Sequence, residues 1–114
     1  MRIDVKGRHG VVIDDDLRAR IEKRFEKVAR QVPEVASLEV ELSEEKNPSI
    51  HDSQVAEGNL RLKGVTLRAR ESADNMGHAI NLMTDDLARQ VKKHKEKRRS
   101  HRGASKAETR PATP

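Results

Sequence analysis

The stretch that most constrains this chain begins at Met76. Met76, Ile80, Met83, Leu87 and Val91 recur at steps of four, three, four and four, the spacing that lines one face of an α-helix. After Val91 the next positions in line are His94 and Arg98, so the apolar stripe stops. Helix-compatible residues continue nonetheless, dominated by Lys92, Lys93, Lys95, Lys97, Arg98, Arg99 and Arg102. A helix seated on a core for its first half and basic all round in its second should overhang the fold, by roughly 10 Å from Lys92 to Arg99 at 1.5 Å per residue.

Charge sharpens that reading. Residues 92–114 hold nine Lys or Arg against two Glu; the remainder keeps 15 of the chain's 24 basic and 17 of its 19 acidic side chains. A nearly neutral body carrying a basic arm points to a polyanionic partner met at one end of the molecule. The competing explanation is a solvated helix end. An acidic start (Glu71, Asp74) and a cationic finish would suit the helix dipole with no partner at all.

The rest of the chain supplies the core beneath the arm. Arg2–Arg8 alternates, with Ile3 and Val5 on one side, as a half-buried strand does. Any of Asp14, Asp15 and Asp16 could cap a helix running from about Asp15 to Gln31, with Leu17, Ile21, Phe25, Val28 and Val32 as its apolar line and Pro33 as its stop. Arg20, Lys23, Lys27 and Arg30 share one flank of that helix as a stripe read as free of acids. It is either a phosphate-contact surface or ordinary helix-surface pairing. Val35–Ser43 alternates again, followed by a polar, turn-rich Glu44–Ser49.

Val55–Lys63 and Val65–Glu71 form a hairpin about Lys63-Gly64, in a register that sets Leu62 opposite Val65, Leu60 opposite Leu67, Gly58 opposite Ala69 and Glu57 opposite Arg70. Ser72 or Asp74 would cap the last helix. The order β-α-β-β-β-α, with one apolar face per element, predicts a two-layer α+β domain: a four-stranded sheet with two helices on one face, laid out like a double-stranded-RNA-binding domain. The first two strands should be parallel if adjacent, and the other three an antiparallel meander. Residues 1–99 would form this domain and 100–114 a disordered tail rich in Ser, Ala, Thr and Pro.

Several classes of function are disfavoured. There are no cysteines, and the five histidines lack zinc-type spacing, so neither a metal site nor a cofactor is expected. No phosphate loop, nucleophile elbow or dinucleotide fingerprint occurs, so no enzyme activity and no small-molecule substrate are expected. The absence of a long apolar run argues against a membrane span, and a cytoplasmic protein is the default expectation. Phe25 is the one aromatic residue and lies on a core line, leaving no platform for stacking single-stranded bases. What remains is phosphate and 2′-OH contact by Lys and Arg, hence recognition of a folded RNA by shape. An alternative is a protein-interaction module that uses the open sheet face, with Leu82, off the core stripe, as an exposed anchor.

The segments Met1–Arg8, Asp16-Leu17-Arg18, Val40–Asn47, Leu67–Met76 and Leu87–Lys97 resemble the ribosome hibernation-promoting factor family (ribosome-associated inhibitor, sigma-54 modulation protein), in register over roughly residues 1–99. The resemblance implies a β-α-β-β-β-α fold and binding to rRNA of the small ribosomal subunit at the decoding region. There such a protein blocks mRNA and the tRNA anticodon ends in resting or stressed cells. Carried over, it implies rRNA contacts by Arg89, Lys92, Lys93, Lys95, Lys97, Arg98 and Arg99, with Arg20, Lys23, Lys27 and Arg30 contributing from the first helix. Ribosome dimerisation would be expected only with a further C-terminal domain of the kind long members carry. One departure is Met76-Gly77-His78, where the family usually has Met-Tyr-Ala. Gly77 should loosen the first turns of the helix by about 1 kcal/mol relative to Ala.

Overall fold

A computed structural model describes residues 2–32, 36–45 and 53–107, with side chains described as far as Lys97. Among these, the chain forms β1 (Arg2–Gly7), α1 (Asp15–Arg24), α2 (Glu26–Ala29), β2 (Ser37–Glu44), β3 (Gln54–Leu62), β4 (Val65–Ala73) and α3 (Met76–Ala107). The strands lie in one sheet in sequence order. β1 runs parallel to β2, while β2–β3 and β3–β4 are antiparallel. This is the α+β arrangement expected from the pattern of elements.

The β3–β4 hairpin has the register read from its period-2 pattern, with Leu62↔Val65, Leu60↔Leu67, Gly58↔Ala69 and Glu57↔Arg70. Gly64 takes φ +84° in its two-residue turn, a conformation with no steric cost for glycine. On the covered face, Leu38, Val40, Leu42, Ala56 and Leu60 meet Ile21, Phe25 and Val28 from the first helical segment and Ile80, Met83, Leu87 and Val91 from α3. Apart from Ala56, each such side chain contributes about 1.5–3 kcal/mol on burial. α3 packs directly over Gly58, where a Cβ would lie 2.7 Å from Met83 Sδ and 2.9 Å from Leu87 Cδ1. The bare glycine backbone is what lets the helix seat there.

Four expectations are corrected. The first helix is not continuous: Phe25 leaves helical geometry (φ −91°, ψ 1°), so α1 ends at Arg24 and α2 is a single short turn. Phe25 is the bulkiest fully buried side chain, and its backbone departs from regular helix where its ring enters the core. The N-cap of α3 is neither Ser72 nor Asp74. Asn75 Oδ1 accepts from the His78 backbone N–H at 2.7 Å, because β4 continues two residues past Glu71 to the buried Ala73. For the same reason Glu71 is a strand residue, not part of an acidic helix start. Finally, α3 stays helical to Ala107, through part of the stretch expected to be disordered. Arg102, Ala104, Lys106 and Ala107 are good helix formers, no proline falls before Pro111, and one internal glycine costs only about 1 kcal/mol. Asp14 alone of the three aspartates caps α1, accepting from Leu17 N–H at 2.8 Å. Pro33, Val35, the turn beyond Glu45 and residues 108–114 lie outside the described residues.

Candidate nucleic-acid interface

α3 spans 32 residues, roughly 48 Å of helix, and its last core contact is Val91. Beyond it Lys92, Lys93, Lys95, Glu96 and Lys97 are exposed and His94 is half-buried. The backbone of Arg98 and Arg99 continues the helix; their side chains lie outside the described residues. The molecule measures 54 × 32 × 18 Å.

α1 lies beside α3 and runs the same way. The Arg20 guanidinium carbon lies 3.4 Å from where a Cβ on Gly77 would stand. Arg24 reaches Asn81, Thr84 and Asp85, and Lys27 and Val28 share a groove with Ala88. Both helices therefore start at the end that carries Asp14–Asp16 and Asp74, and the cationic arm leaves from the other. Gly77, expected to loosen the helix, stands where the Arg20 guanidinium rests against α3.

The groove between the two helices encloses about 860 Å³ and brings together Arg20, Lys23 and Lys27. It does not include Arg30. Nor is the stripe free of acids, since Asp16, Glu26 and Asp85 line the same groove. Asp16 sits four residues before Arg20 and seven before Lys23, which places it within the stripe. Even so, among the described residues none of Arg20, Lys23, Lys27, Arg30, Lys92, Lys93, Lys95 or Lys97 forms an ion pair with a carboxylate. Arg89 differs. Its Nη2 lies 3.7 Å from Asp86 Oδ1, one turn back on α3.

The open face of the sheet is built the other way. Four of its cations are matched by carboxylates: Arg2 with Asp4 at 3.5 Å, Arg8 with Glu41 at 3.3 Å, Arg61 with Glu39 at 3.0 Å and Arg70 with Glu45 at 3.7 Å. Lys6 and Arg68, exposed on the same face, form no ion pair among the described residues. A polyanion approaching that face meets cations interleaved with Asp4, Glu39, Glu41 and Glu57, whereas one approaching the arm meets the ammonium groups of Lys92, Lys93, Lys95 and Lys97 with Glu96 alone among them. Leu82 is no exposed anchor; it is half-buried and packs against the core. Among the described residues the exposed large apolar side chain is instead Val12, 77% exposed, in the β1–α1 loop.

Two features escaped the sequence reading. One is Arg24, which lies off the four-cation flank and faces α3. The other is a carboxyl pair on the opposite flank of α3. Glu71 faces the helix layer from β4, and Asp86 is its hydrogen-bond partner. Gln90 Nε2 ties the same place together, donating to Asp86 Oδ1 (3.2 Å) and to the Arg68 carbonyl oxygen (2.7 Å). Burial foremost, then the Asp86 hydrogen bond and charge, push the Glu71 carboxyl above its ordinary 4.5, while Arg89 pulls the other way. No charged group faces Glu71 from its β3 partner position, Ala56.

A carboxyl whose folded-state pKa is raised weakens the fold when ionised, and that penalty disappears as pH falls through the raised value. Glu71→Gln is therefore expected to raise Tm at neutral pH. The gain should shrink with acidification and vanish below about 4.5. Thermal melts of both proteins from pH 4 to pH 8 check it, and equal melting curves at neutral pH would refute it.

A family model described as "Sigma 54 modulation protein / S30EA ribosomal protein" matches residues 3–99. The chain belongs to this family. Among S30EA-type relatives, a "Ribosome hibernation promoting factor" from Acinetobacter guillouiae is 33% identical over 100 residues, covering 83% of this chain and 88% of its own. A "Ribosome hibernation promotion factor" from Picosynechococcus is 30% identical over 85% of this chain, but the chain spans only 50% of that relative's length. The N-terminal domain of Thermus thermophilus Protein Y superimposes with TM-score 0.70 at 26% identity, covering 82% of this chain and 99% of that one. A "ribosomal subunit interface protein" from Coxiella burnetii, 23% identical, shares the fold with TM-score 0.68. The family-matched segment ends at residue 99, inside α3 and beyond the last core contact at Val91. The root of the arm is thus part of the S30EA unit.

Proposed function

We propose that this S30EA-family protein is a ribosome hibernation factor that acts by steric occlusion. Residues 1–99 form the binding unit. The arm lies along rRNA phosphates of the small subunit in the decoding channel, where messenger and the tRNA anticodon ends would otherwise pass, and translation stops without any bond being made or broken. The contacts come from Arg89, Lys92, Lys93, Lys95, Lys97, Arg98 and Arg99 on α3, with Arg20, Lys23, Lys27 and Arg30 from the first helical layer. Resting or stressed cytoplasm is where such a block is useful.

One observation carries this reading. Lys92, Lys93, Lys95 and Lys97, past the core, are exposed and form no ion pair among the described residues, while the sheet-face cations stand among Asp4, Glu39, Glu41, Glu45 and Glu57, four of them in ion pairs. Lysine and arginine spread along a helix, with no aromatic platform, suit backbone recognition of a structured RNA. The sheet-face interaction module has no comparable support, since that face offers interleaved charges of both signs and Leu82 is packed inward.

Affinity purification of the tagged full chain from stationary-phase extract tests the proposal. Small-subunit rRNA is expected to co-purify at low salt and to be released by moderate salt or RNase. A protein partner retained through both treatments, with no rRNA, would overturn it.

A further inference from the structure

Arg24 makes more polar contacts across the two helices than any other described side chain. Its Nε donates to Thr84 Oγ1 at 3.2 Å, and its Nη2 donates to the Asn81 carbonyl oxygen at 3.4 Å and to Asp85 Oδ1 at 2.9 Å. Two of the three acceptors are themselves held, while Asp85 is an exposed carboxylate that meets Arg24 alone. Thr84 is only 3% exposed, and its hydroxyl donates to the same Asn81 carbonyl at 2.9 Å. Arg24 is the last residue of α1, immediately before the break at Phe25. The break divides the α1-side cations, with Arg20 and Lys23 before it and Lys27 and Arg30 after. On the facing helix, Lys92 and Lys95 follow the groove residue Ala88 at i+4 and i+7, so they continue the same flank onto the arm.

We infer that Arg24 is a positioning residue: it locks α1 in axial register with α3 at the break, so that the groove cations and the arm cations present one continuous surface to phosphate. Arg24 does this with most of its fork already committed to α3. It acts through Arg20, Lys23 and Lys27, not as a phosphate contact of its own. The buried Ile21 and Phe25 hold α1 on the core but leave sliding and rotation loosely set, because apolar contact is non-directional. Directional bonds from a planar guanidinium set them. This inference rests on the rRNA-binding reading above.

Removing Asp85 gives predictions of opposite sign. By charge count alone, Asp85→Ala strips an acid from a cationic groove and strengthens RNA binding. If Asp85 anchors the strut, binding weakens. The measurement is equilibrium affinity of the full chain for purified small subunits at fixed salt, with Tm read alongside. Asp85→Ala and Arg24→Gln are each expected to weaken binding about three- to tenfold. In an Arg20→Gln/Lys23→Gln/Lys27→Gln background, where there is no row left to position, the Arg24→Gln effect is expected to fall below about twofold.

Tighter binding by Asp85→Ala overturns the inference. So does an Arg24→Gln loss of the same size in both backgrounds, which would mark Arg24 as an independent contact. A loss that disappears once affinities are corrected for the folded fraction would assign Arg24 to stability only, and overturns it too. If the unsubstituted protein does not bind small subunits at all, it is the rRNA-binding reading that fails.

Discussion

Replacing Lys92, Lys93 and Lys95 with glutamate is expected to abolish co-sedimentation with small ribosomal subunits while leaving the fold intact. All three side chains are exposed and lie past Val91, the last residue of α3 that packs on the sheet. Glutamate is as good a helix former as lysine, so the arm itself should persist. What changes is the sign of its root. The chain's net charge falls from +5 to about −1, and phosphates meet carboxylates where they had met ammonium groups. If the unsubstituted protein neutralises six phosphates, its log–log salt slope should be on the order of −5, with affinity falling about a thousandfold between 50 and 200 mM salt. Losing three cations and gaining three anions removes at least half of that slope and most of the binding free energy. Gradient sedimentation at low salt, with a thermal melt as the folding control, decides the matter. Undiminished co-sedimentation of the triple variant would refute the arm as the contact surface.

How much of this was legible in the sequence depended on whether a feature was written locally. The hairpin register was, because Leu60, Leu62, Val65 and Leu67 alternate about a two-residue turn and only one pairing buries all of them. The α3 stripe and its end at Val91 were equally plain, since five aliphatics at helical spacing admit one face. Features that depend on which flank meets which neighbour were not. Arg24 and Asp85 are 61 residues apart, and nothing in either neighbourhood names the other. Asp16, Glu26 and Asp85 enter the groove only once α1 is laid beside α3, so the basic stripe looked cleaner on a helical wheel than it is. Leu82 reads as exposed if α3 buries a single narrow stripe, but the helix is broad enough in contact to cover it. Small shifts in element ends also mattered: two extra residues in β4 moved the cap from Asp74 to Asn75 and turned Glu71 from a helix-start acid into a half-buried partner of Asp86.

Phe25→Ala is expected to separate core from contact. Phe25 is the chain's one aromatic residue, and it is 0% exposed. Its ring lies among the core side chains with Ile21, Leu38, Ile80 and Leu87. Truncation removes the largest buried side chain and leaves a cavity that its neighbours refill only partly, at a cost of about 3–5 kcal/mol. Small domains have about 5–15 kcal/mol to lose. At about 4–8 °C per kcal/mol for a chain near this size, Tm should drop by roughly 12–40 °C. Affinity for small subunits, measured well below the new Tm and referred to the folded fraction, should stay within about twofold of the original, because no stacking contact has been removed. The opposite outcome, a stable variant that has lost its affinity, would mean that the ring reaches the RNA. Recognition would then run through a base-stacking surface on the first helix and not through the phosphates along α3.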